Sequence, residues 1–446
     1  MAETFPEGFL WGASTATYQI EGAVKEDGRG LSIWDVFCGR PDKIQGGQSG
    51  EIACDHYHRW PEDVALMREL GLGAYRLSTA WPRLLPEGRG RANEKGFEFY
   101  ERLVDAVLEA GIEPWICLYH WDLPQALEDR GGWQNRDTAF WFAEYAQATV
   151  RLLGDRVGHW ATFNEPNAAA VLGYGEGRHA PGIRGRASAL KAIHVMNLAH
   201  GLGVAAIRGE RAGLMLGNIY NFHPREPASE REEDAIAAQM LDALWNRSFP
   251  DPQLLGRYPE PLAAEIEALI EPGDLDTVKQ QLDYFAFNHY TRTRVRRDPD
   301  HPFEVGTLPP PLGAKVTDMG WEVAPDALLM VLLEVKQRYS GDLPVYILES
   351  GAAFADSVDA DGRIRDADRI AYIRDYLGAV LDAIGKGVPV RGYFVWSLLD
   401  NFEWTFGYEK RFGLVHVDYR TLERRPKDSY RFYAELAHGA GLERER

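Results

Sequence analysis

The sequence predicts an α/β fold, a single (β/α)8 (TIM) barrel over residues 1–446 with elaborated loops at the C-terminal face of its strands. Eight short apolar runs end in polar or aromatic residues, amphipathic helical stretches separate them, and no low-complexity segment divides the chain. Eight strand-and-helix units in one undivided chain favour a closed barrel over an open doubly wound sheet. A dinucleotide-binding fold is further disfavoured because no Gly-x-Gly-x-x-Gly follows the first run.

Each predicted strand is a short apolar run, and each predicted helix has apolar residues at three- and four-residue spacing. The strands are predicted at residues 8–13, 74–80, 113–119, 159–163, 213–219, 284–288, 345–348 and 392–397. Helices are clearest over residues 62–70, 96–110, 325–339 and 368–385. In the second of these, Phe99, Leu103 and Val107 share one face and Gly111 follows as a stop. Strands alternating with helices imply a parallel sheet, and the Pro-rich patch at 301–311 is predicted to be a loop.

The charge balance bounds the kinds of partner that the protein can have. The 67 acidic residues outweigh the 49 basic ones and give a formal net charge of −18. An acidic surface repels nucleic acid and anionic membranes, so neither is expected as a partner. The N-terminus has no signal-peptide pattern, and we find no run that approaches the roughly 20 apolar residues of a membrane helix. We therefore expect a soluble protein of the cytoplasm.

The cysteines and histidines do not form a recognisable metal or disulfide pattern. Cys38, Cys54 and Cys117 are odd in number and lack ligand spacing, so we expect buried free thiols in a reducing compartment. His56 and His58 have no third ligand at a recognisable spacing, and no His-Glu-x-x-His occurs. No metal ion or other cofactor is predicted.

Polar and aromatic residues follow the predicted strands, where a barrel would bring them together. Strands of such barrels are covered on both sides, so polar groups at their ends need a reason. A single one can be a satisfied structural group, but several on one rim favour a polar pocket at the C-terminal face. The strand-end residues are Arg76, His120, Trp121, Asn164, Glu165, Asn218, Asn288, His289, Tyr290, Glu349 and Trp396.

Two glutamates directly follow apolar strands, Glu165 in TFNEP and Glu349 in YILESG. Glycoside hydrolysis needs two carboxyl groups in opposite protonation states, one to donate a proton and one to attack the anomeric carbon or activate water. From chemistry alone, either glutamate could instead be a structural ion-pair partner. The two residues are therefore candidates for a catalytic pair at the barrel mouth.

The neighbours of the two glutamates suggest different roles for them. A guanidinium lowers the pKa of a nearby carboxyl group, and we pair Arg76 at the end of the second strand with Glu349. Glu165 has no adjacent cation, and a partly desolvated carboxyl beside an ionised one has a raised pKa, which suits an acid. The alternative for Arg76 is a purely structural salt bridge. The pairing is a hypothesis from strand order.

Tryptophans near the strand ends favour a carbohydrate ligand. Sugars present apolar faces that stack on indole rings and hydroxyl groups that need charged or amide partners. A single tryptophan is usually a packing residue. Four of them beside several polar groups fit a sugar pocket better. These residues are Trp121, Trp321, Trp396 and Trp404, with Gln19, His120, Asn164 and Glu403.

On these residues the chain resembles glycoside hydrolase family 1, the β-glucosidase family, over essentially its whole length. Residues 9–23 (FLWGASTATYQIEGA) resemble the first signature of the family, and residues 162–166 (TFNEP) resemble its acid/base motif. Residues 345–351 (VYILESG) resemble the nucleophile motif. Residues 396–404 (WSLLDNFEW) and 410–414 (KRFGL) are similar to the sugar-binding segment. The fold of this family is the (β/α)8 barrel.

The resemblance implies a role for each matching residue. Glu165 would be the acid/base and Glu349 the nucleophile, with Tyr290 and Arg76 keeping Glu349 ionised and oriented. Trp396 would form the floor under the sugar. Hydrogen bonds to the sugar would come from Gln19, His120, Asn164, Glu403 and Trp404. Phe412 would line the wall, Trp321 would face the leaving group, and Trp121 and Asn288 complete the predicted substrate-binding set.

Individual positions refine this resemblance. The family usually has Glu-Asn-Gly at the nucleophile, whereas this chain has Ser350 in place of the Asn, and we expect the chemistry to survive with altered loop packing or efficiency. Phospho-β-glycosidases of the family carry Ser and Tyr where this chain has Glu403 and Phe412. Glu403 would repel a phosphate dianion, which favours a neutral sugar. Plant thioglucosidases replace the acid/base with Gln, whereas Glu165 is intact.

The resemblance implies a retaining β-glycosidase that hydrolyses terminal non-reducing β-D-glucosyl residues of β-glucosides and short oligosaccharides by double displacement. Some β-galactosidase, β-fucosidase and transglycosylation activity is expected as well. Retention requires carboxyl groups only ~5–5.5 Å apart, against roughly 9 Å for inversion. Two alternatives stay open, a catalytically weak sugar-binding barrel and an enzyme that is mainly a transglycosylase. The expected partner is a small-molecule β-glucoside or oligosaccharide, and the oligomeric state is not predicted.

Overall fold

The computed structural model describes residues 2–444, and its centre is a closed barrel of eight parallel strands. The strands, β1 to β8 in chain order, are Leu10–Ser14, Ala74–Ser78, Glu113–Tyr119, His159–Asn164, Met215–Asn221, Phe285–Asn288, Val345–Ser350 and Val390–Trp396. Consecutive strands are neighbours, and β1 closes the barrel by pairing with β8 (Leu10 beside Gly392) and with β2 (Gly12 beside Ala74). The predicted (β/α)8 barrel is confirmed, with every predicted strand within a few residues of its bounds.

Helices connect the strands and cover the outside of the barrel. The longer ones are His56–Leu70, Glu94–Glu109, Asp137–Leu153, Arg186–Glu210, Glu232–Asp242, Glu260–Glu267, Pro325–Val335, Ala367–Gly385 and Asp428–Ala437. Short helices are Thr17–Ile20, Ile33–Cys38, Trp81–Leu84, Gln125–Glu128, Pro166–Ala170 and Asp274–Val278. Single 3-10 turns are Gln45–Gly47, Gly132–Gln134 and Trp404–Phe406, and π turns are Val171–Gly175, Ala243–Arg247, Asp251–Leu255 and Lys336–Ser340. The four predicted helices are all present.

Helix bounds follow local sequence signals. The helix His56–Leu70 ends because Gly71 adopts a left-handed conformation (φ 80°) and its N–H returns to the carbonyl of Met67. The helix Pro325–Val335 begins with proline in its first turn, where a missing N–H costs nothing. The predicted helix 325–339 therefore consists of this α-helix and the following π turn.

A small three-stranded sheet is built from Arg225–Pro227, Thr293–Arg297 and Val305–Leu308. The prediction of a loop over 301–311 is wrong for Val305–Leu308, which pairs antiparallel with Thr293–Arg297. The prolines of this patch lie outside the four paired residues, so they remove no N–H donor from the ladder. A further two-stranded sheet joins Val415–Val417 to Arg424–Pro426.

The barrel interior is filled by a layer of side chains that lies beneath the polar rim. Its members are Ala74, Trp115, Cys117, Ala161, Ile219, Tyr284, Ala286, Leu348 and Phe394. Small residues make room for the large ones: a Cβ at Gly12 would lie 2.3 Å from the ring of Phe394, and one at Gly217 would lie 2.3 Å from that of Tyr284. The interior is thus packed like other such barrels and supports the rim from below. Cys38, Cys54 and Cys117 are free and buried, as predicted.

One helix, Arg186–Glu210, is long and apolar enough to cross a membrane, with a mean hydropathy of 1.3 over its most apolar window. This differs from the expectation that no run of the chain approaches the length of a membrane helix. However, 78% of that window is buried inside the protein. Buried residues on it, among them Ile193 and Val204, belong to the main hydrophobic core. The composition of the helix is therefore explained by its position in the core.

A buried ionic network holds the segment that follows β8. Lys427 contacts both Asp356 and Asp400, the latter at 2.7 Å, and all three side chains are essentially inaccessible to solvent. Arg369 pairs with Asp356 at 3.0 Å, and Arg411 pairs with Asp400 at 2.7 Å. Asp400 also accepts the backbone N–H of residue 413 at 2.9 Å. The network thereby fixes the loop that carries Glu403, Trp404 and Phe412.

We expect Lys427→Met to lower the free energy of unfolding by about 3–5 kcal/mol, because it leaves two buried carboxylates short of one cation. Arg425→Met is the matched control, since Arg425 pairs with Glu423 on the surface and exposed pairs contribute about 1 kcal/mol or less. Urea unfolding followed by tryptophan fluorescence measures both. Equal stabilities of the two variants would contradict this account of the network.

Candidate active site

A cavity of about 440 Å³ opens at the C-terminal ends of the strands. It is lined by eleven of the fourteen residues predicted for the site: His120, Trp121, Asn164, Glu165, Tyr290, Trp321, Glu349, Trp396, Glu403, Trp404 and Phe412. Three predicted residues do not line it. Arg76 and Asn288 lie behind the wall and contact the two glutamates, and Gln19 bonds the loop that carries Glu403.

Glu165 stands at the turn between β4 and the short helix Pro166–Ala170. Its backbone adopts a left-handed conformation (φ 45°), and its N–H donates to the carbonyl of Ile219 at 2.7 Å. The side-chain amide of Asn288 donates to Glu165 Oε1 at 2.7 Å. Burial and then the charge of Glu349 raise the pKa of Glu165 to about 8. At neutral pH this carboxyl group therefore holds its proton.

Glu349 lies in β7 and is held by a cation and a phenol. Arg76 donates to Oε1 in a buried ion pair, and Tyr290 Oη donates to Oε2 at 2.6 Å. Burial raises the pKa of Glu349, and Arg76 and Tyr290 oppose that rise by favouring the ionised form. Both Glu349 oxygens thus accept hydrogen bonds from groups that stabilise a negative charge. The pairing of Arg76 with Glu349 that strand order suggested is present as a contact.

Tyr290 is itself positioned by two tyrosines from the helix Ala367–Gly385. Tyr372 and Tyr376 donate to the carbonyl of Tyr290 at 3.1 and 2.8 Å, and their rings stack with centroids 3.9 Å apart. Ser350, the residue that departs from the family pattern, is fully buried and lowers the pKa values of the nearby Tyr372 and Tyr393, but its Oγ makes no hydrogen bond within residues 2–444. The substituted position therefore belongs to the packing behind β7, and Ser350 does not line the cavity.

His120 links the two halves of the site. Arg76 Nη2 donates to His120 Nδ1 at 2.9 Å, and Nε2 lies 3.1 Å from the side-chain amide of Asn164. Burial and the charge of Arg76 lower the pKa of His120 well below its usual value, so the ring is neutral. Asn164 in turn accepts from the amide of Asn288 at 3.0 Å. Because the neutral ring accepts from Arg76 at Nδ1, it carries its proton on Nε2, and the approach to the Asn164 amide nitrogen is a close contact. Arg76, His120, Asn164 and Asn288 thus form one continuous row of polar side chains that touches both glutamates.

Aromatic rings form two walls of the cavity. On one side Trp121 and Trp404 lie with ring centroids 4.7 Å apart, and Trp121 is fixed by its indole N–H to the carbonyl of Asn164 at 3.0 Å. On the other side Trp321 lies 5.4 Å from the ring of Tyr290 and 6.1 Å from that of Phe412. Such walls suit a ligand with apolar faces.

Glu403 is a third buried carboxyl group of the cavity. Burial, then the charges of Glu349 and Glu165, raise its pKa to about 8. Gln19 donates to the carbonyl of Phe402 at 2.9 Å, which holds the loop next to Glu403. Among residues 2–444, Glu403 Oε2 and Gln19 Oε1 have no hydrogen-bond partner. Because Glu403 is largely protonated at neutral pH, the expected repulsion of phosphate by this residue alone is weaker than the sequence suggested.

Sequence reasoning missed the wall beyond Glu165. Asn221 lowers the pKa of Glu165 and accepts the indole N–H of Trp245 at 3.0 Å, and both residues line the cavity with Arg225. The predicted fifth strand stops at residue 219, whereas β5 continues to Asn221. Asn218, named as its polar end, instead accepts the N–H of Phe163 at 3.1 Å inside the fold. Tyr220 and Asn221, which directly follow the predicted strand, were the sequence signal that could have indicated this wall.

Together these groups form a buried acid–base pair beside a polar, aromatic-lined cavity. One carboxyl group keeps a proton at neutral pH, and the other is paired with a guanidinium. Two carboxyl groups in opposite protonation states can donate a proton to a leaving oxygen and attack or hydrate the carbon on its other side. Within the described part of the chain, no group of three or more His, Cys, Asp or Glu side chains is arranged to hold a metal ion.

Known proteins similar to this chain are named as β-glucosidases. Beta-glucosidase A of Thermotoga maritima is 45% identical, over 98% of this chain and 99% of the relative. The β-glucosidase of an Agrobacterium species is 46% identical over 98% and 96%. A bifunctional β-D-glucosidase/β-D-fucosidase of Bifidobacterium breve is 43% identical over 97% and 98%.

Solved structures and a family model agree with these relatives. The family 1 β-glucosidase from Thermotoga maritima superposes with a TM-score of 0.94 at 44% identity, covering 99% of this chain and 100% of that one. A complex of a β-glucosidase from the same organism with glucoimidazole gives a TM-score of 0.93 at 44% identity, over 98% and 99%. The sequence model of glycosyl hydrolase family 1 matches residues 1–442. The chain therefore belongs to glycosyl hydrolase family 1.

Proposed function

We propose that the protein is a retaining β-glucosidase that hydrolyses terminal non-reducing β-D-glucosyl residues of β-glucosides and short oligosaccharides. The observation that carries this proposal is the unequal pair of buried carboxyl groups. Glu165 has a pKa of about 8 and keeps a proton, whereas Glu349 is paired with Arg76 and Tyr290. The named activities of the relatives support the choice of glucose as the sugar.

In the first step an oxygen of Glu349 attacks the anomeric carbon. The bond to the leaving oxygen breaks, its electron pair stays on that oxygen, and Glu165 transfers its proton there. The sugar becomes covalently bound to Glu349 with inverted configuration. Arg76 and Tyr290 favour the ionised form from which Glu349 attacks.

In the second step Glu165, now ionised, accepts a proton from water. The water oxygen attacks the same carbon, the bond to Glu349 breaks, and the sugar leaves with its original configuration. Burial, the larger cause of the raised pKa of Glu165, persists in the covalent intermediate, but loss of the negative charge on Glu349 removes the second cause. Glu165 therefore becomes more acidic in the intermediate, as a general base requires.

The remaining predicted residues are proposed to bind the sugar in the cleaved position. Trp396 is proposed as the stacking floor and Phe412 as part of the wall. Hydrogen bonds to hydroxyl groups are proposed for Gln19, His120, Asn164, Glu403 and Trp404. The acceptors without a partner at Glu403 and Gln19 support this, because a sugar hydroxyl can donate to them. Trp121, Trp321 and Asn288 are proposed to shape the leaving-group side and to orient Glu165.

A panel of nitrophenyl glycosides with glucose, galactose, fucose, mannose and 6-phosphoglucose donors, together with cellobiose, tests the proposal. We expect the highest kcat/KM for the nitrophenyl β-glucoside, lower values for the β-galactoside and β-fucoside, measurable hydrolysis of cellobiose, and negligible turnover of the mannoside and the 6-phosphoglucoside. The activity named for the Bifidobacterium relative supports the β-fucoside expectation. Proton NMR during hydrolysis should show β-glucose as the first product. Binding without turnover by the folded protein would favour the weak sugar-binding alternative.

Product analysis in the presence of an alcohol distinguishes hydrolysis from transglycosylation. Water and an alcohol compete for the same covalent intermediate, so the ratio of glucose to alkyl glucoside measures their partition. We propose that hydrolysis dominates when no acceptor is added.

We also propose that residues 1–446 act as one catalytic domain in the cytoplasm. The three free, buried thiols support the reducing compartment.

We expect a bell-shaped dependence of kcat/KM on pH. Glu165 must be protonated in the free enzyme, so kcat/KM should fall about tenfold per unit as the pH rises above about 8. Glu349 must be ionised, and since burial raises its pKa, kcat/KM should also fall below a pH that lies above the ordinary value of 4.5. Initial rates between pH 4 and pH 10 measure both limbs. A basic limb near pH 6 would contradict the assignment of Glu165 as a strongly desolvated acid.

A further inference from the structure

The cavity wall beyond Glu165 holds an arginine without a carboxylate partner. Arg225 begins the strand Arg225–Pro227, and its Nη1 donates to Thr293 Oγ1 at 2.7 Å. Its guanidinium carbon lies 5.1 Å from the ring centroid of Trp245. Arg225, Thr293 and Trp245 all line the cavity. Arg225 Nε and Nη2 are shielded from solvent and bond no group of residues 2–444.

The other arginines of this cavity are neutralised by neighbours. Arg178 pairs with Glu176 at 2.5 Å, and Arg294 pairs with Glu322 at 2.7 Å. Arg292 forms ion pairs with three carboxylates, which are Asp326, Glu226 at 3.1 Å and Glu322 at 3.7 Å. Arg225 forms no such ion pair within the described chain; Asp242 acts on it only through space. The cavity wall thus carries one uncompensated positive charge.

The positive charge of Arg225 lies in a poorly solvated part of the cavity wall. Burial lowers the pKa of Arg225 to about 9, so the guanidinium is still largely cationic at neutral pH. The neighbouring His223 is neutral, because burial and the charge of Arg225 lower its pKa well below the usual value. Arg225 as a whole is partly exposed, but its Nε and Nη2 have lost water without gaining a partner, and an anion that pairs with the guanidinium offsets part of that cost.

A row of contacts connects Arg225 to the reacting groups. Asn221 lies close enough to Glu165 to lower its pKa and accepts the indole N–H of Trp245 at 3.0 Å, and the Trp245 ring faces Arg225. Glu165 protonates the leaving oxygen in the proposed mechanism, so the leaving group must lie on this side of the cavity. An aromatic leaving group along this wall would direct its far end towards the guanidinium.

We propose that Arg225 makes the leaving-group side selective for aglycones that carry a carboxylate, in particular aryl β-glucosides of aromatic carboxylic acids. This inference rests on the proposed β-glucosidase function and names the substrate class for the same cavity. The planar guanidinium matches the geometry of a carboxylate, and Trp245 supplies an apolar surface for the aromatic ring.

The test compares 4-carboxyphenyl β-D-glucoside with the uncharged 4-carbamoylphenyl β-D-glucoside. The ratio of their kcat/KM values is measured in the wild type, in Arg225→Met and in Arg225→Lys. Dividing the wild-type ratio by that of a variant cancels the different acidities of the two leaving groups. We expect Arg225→Met to lower the ratio at least about fivefold, since charged hydrogen bonds are worth more than neutral ones, and Arg225→Lys to lower it less.

Arg297→Met is the matched control, because Arg297 lies in the adjoining strand and pairs with Glu304 at the surface, outside the cavity. Its ratio should equal that of the wild type. Added sodium chloride provides a reading that needs no variant. If Arg225 attracts the carboxylate, salt lowers the wild-type ratio, whereas repulsion by the acidic surface would make salt raise it.

The outcomes separate this inference from the function on which it rests. If the folded wild type hydrolyses neither glucoside nor nitrophenyl β-D-glucoside, the proposed function fails. If it hydrolyses the uncharged glucoside but Arg225→Met leaves the ratio unchanged, the inference about Arg225 fails alone. A ratio that rises with salt in the wild type would also overturn it, even if the Arg225 variants did not fold.

Discussion

Replacing Glu349 with alanine is expected to reduce turnover of nitrophenyl β-D-glucoside by about 10⁴-fold or more. The variant lacks the oxygen that attacks the anomeric carbon, and removal of a nucleophile leaves only binding and proton donation. Glu165 stays in place, since it is held by Asn288 and by its backbone N–H to Ile219. Initial rates with the wild type and the variant at equal concentration measure the loss.

Azide is expected to restore turnover of Glu349→Ala. The small anion fits the space of the missing carboxylate beside Arg76 and attacks from the same face, so the product is α-glucosyl azide with inverted configuration. The anomeric coupling constant in proton NMR identifies it. Glu109→Ala, at the exposed end of the helix Glu94–Glu109, is the control and should keep wild-type activity. A folded Glu349→Ala enzyme that azide does not rescue would remove the nucleophile assignment.

Replacing Glu165 with glutamine should give a loss that depends on the leaving group. For cellobiose, whose leaving oxygen needs a proton, we expect kcat/KM to fall about 10²–10⁴-fold. For dinitrophenyl β-D-glucoside the first step needs little protonation, so a rapid burst should precede slow turnover as the covalent intermediate accumulates. The basic limb of the pH profile should disappear. Rapid-mixing measurements with both substrates test these expectations.

Glu176→Gln is the control for Glu165→Gln. Glu176 lies at the same cavity but pairs with Arg178, so its replacement should change rates by a similar factor for every leaving group. With azide, Glu165→Gln should yield β-glucosyl azide, because the anion replaces water in the second step. Equal losses with cellobiose and the dinitrophenyl substrate would contradict a role of Glu165 in proton transfer.

The barrel was predictable because its signals are local. Strands of such a barrel are buried on both faces, so they appear in the sequence as short apolar runs. Helices are indicated by apolar residues at three- and four-residue spacing and by residues that end a helix, such as Gly71. The same local view failed where pairing decides structure. The strand Val305–Leu308 is only four residues long and is defined by its partner Thr293–Arg297. For the same reason the predicted fifth strand ended at residue 219, whereas β5 continues to Asn221.

The candidate site was predictable as far as residues sit at strand ends or in specific motifs. Strand order alone suggested the contact between Arg76 and Glu349, since barrel strands converge at one rim. The leaving-group wall could not be predicted in this way. Trp245 belongs to a π turn and reaches Asn221 across 24 positions of the chain, a contact fixed by how loops fold over the barrel. The side-chain chemistry of either residue alone does not predict that the two come into contact.

The three carboxyl groups of the cavity also affect how many protons the molecule carries. Glu165 and Glu403 each have a pKa of about 8, so the free protein at pH 7 carries protons that a formal count of −18 treats as lost. A ligand that binds as a cation stabilises the ionised carboxylates and expels these protons into the buffer, whereas a neutral sugar does not. Affinity for basic sugar mimics is therefore thermodynamically linked to proton release and becomes stronger as these carboxyl groups ionise, as long as the ligand remains cationic.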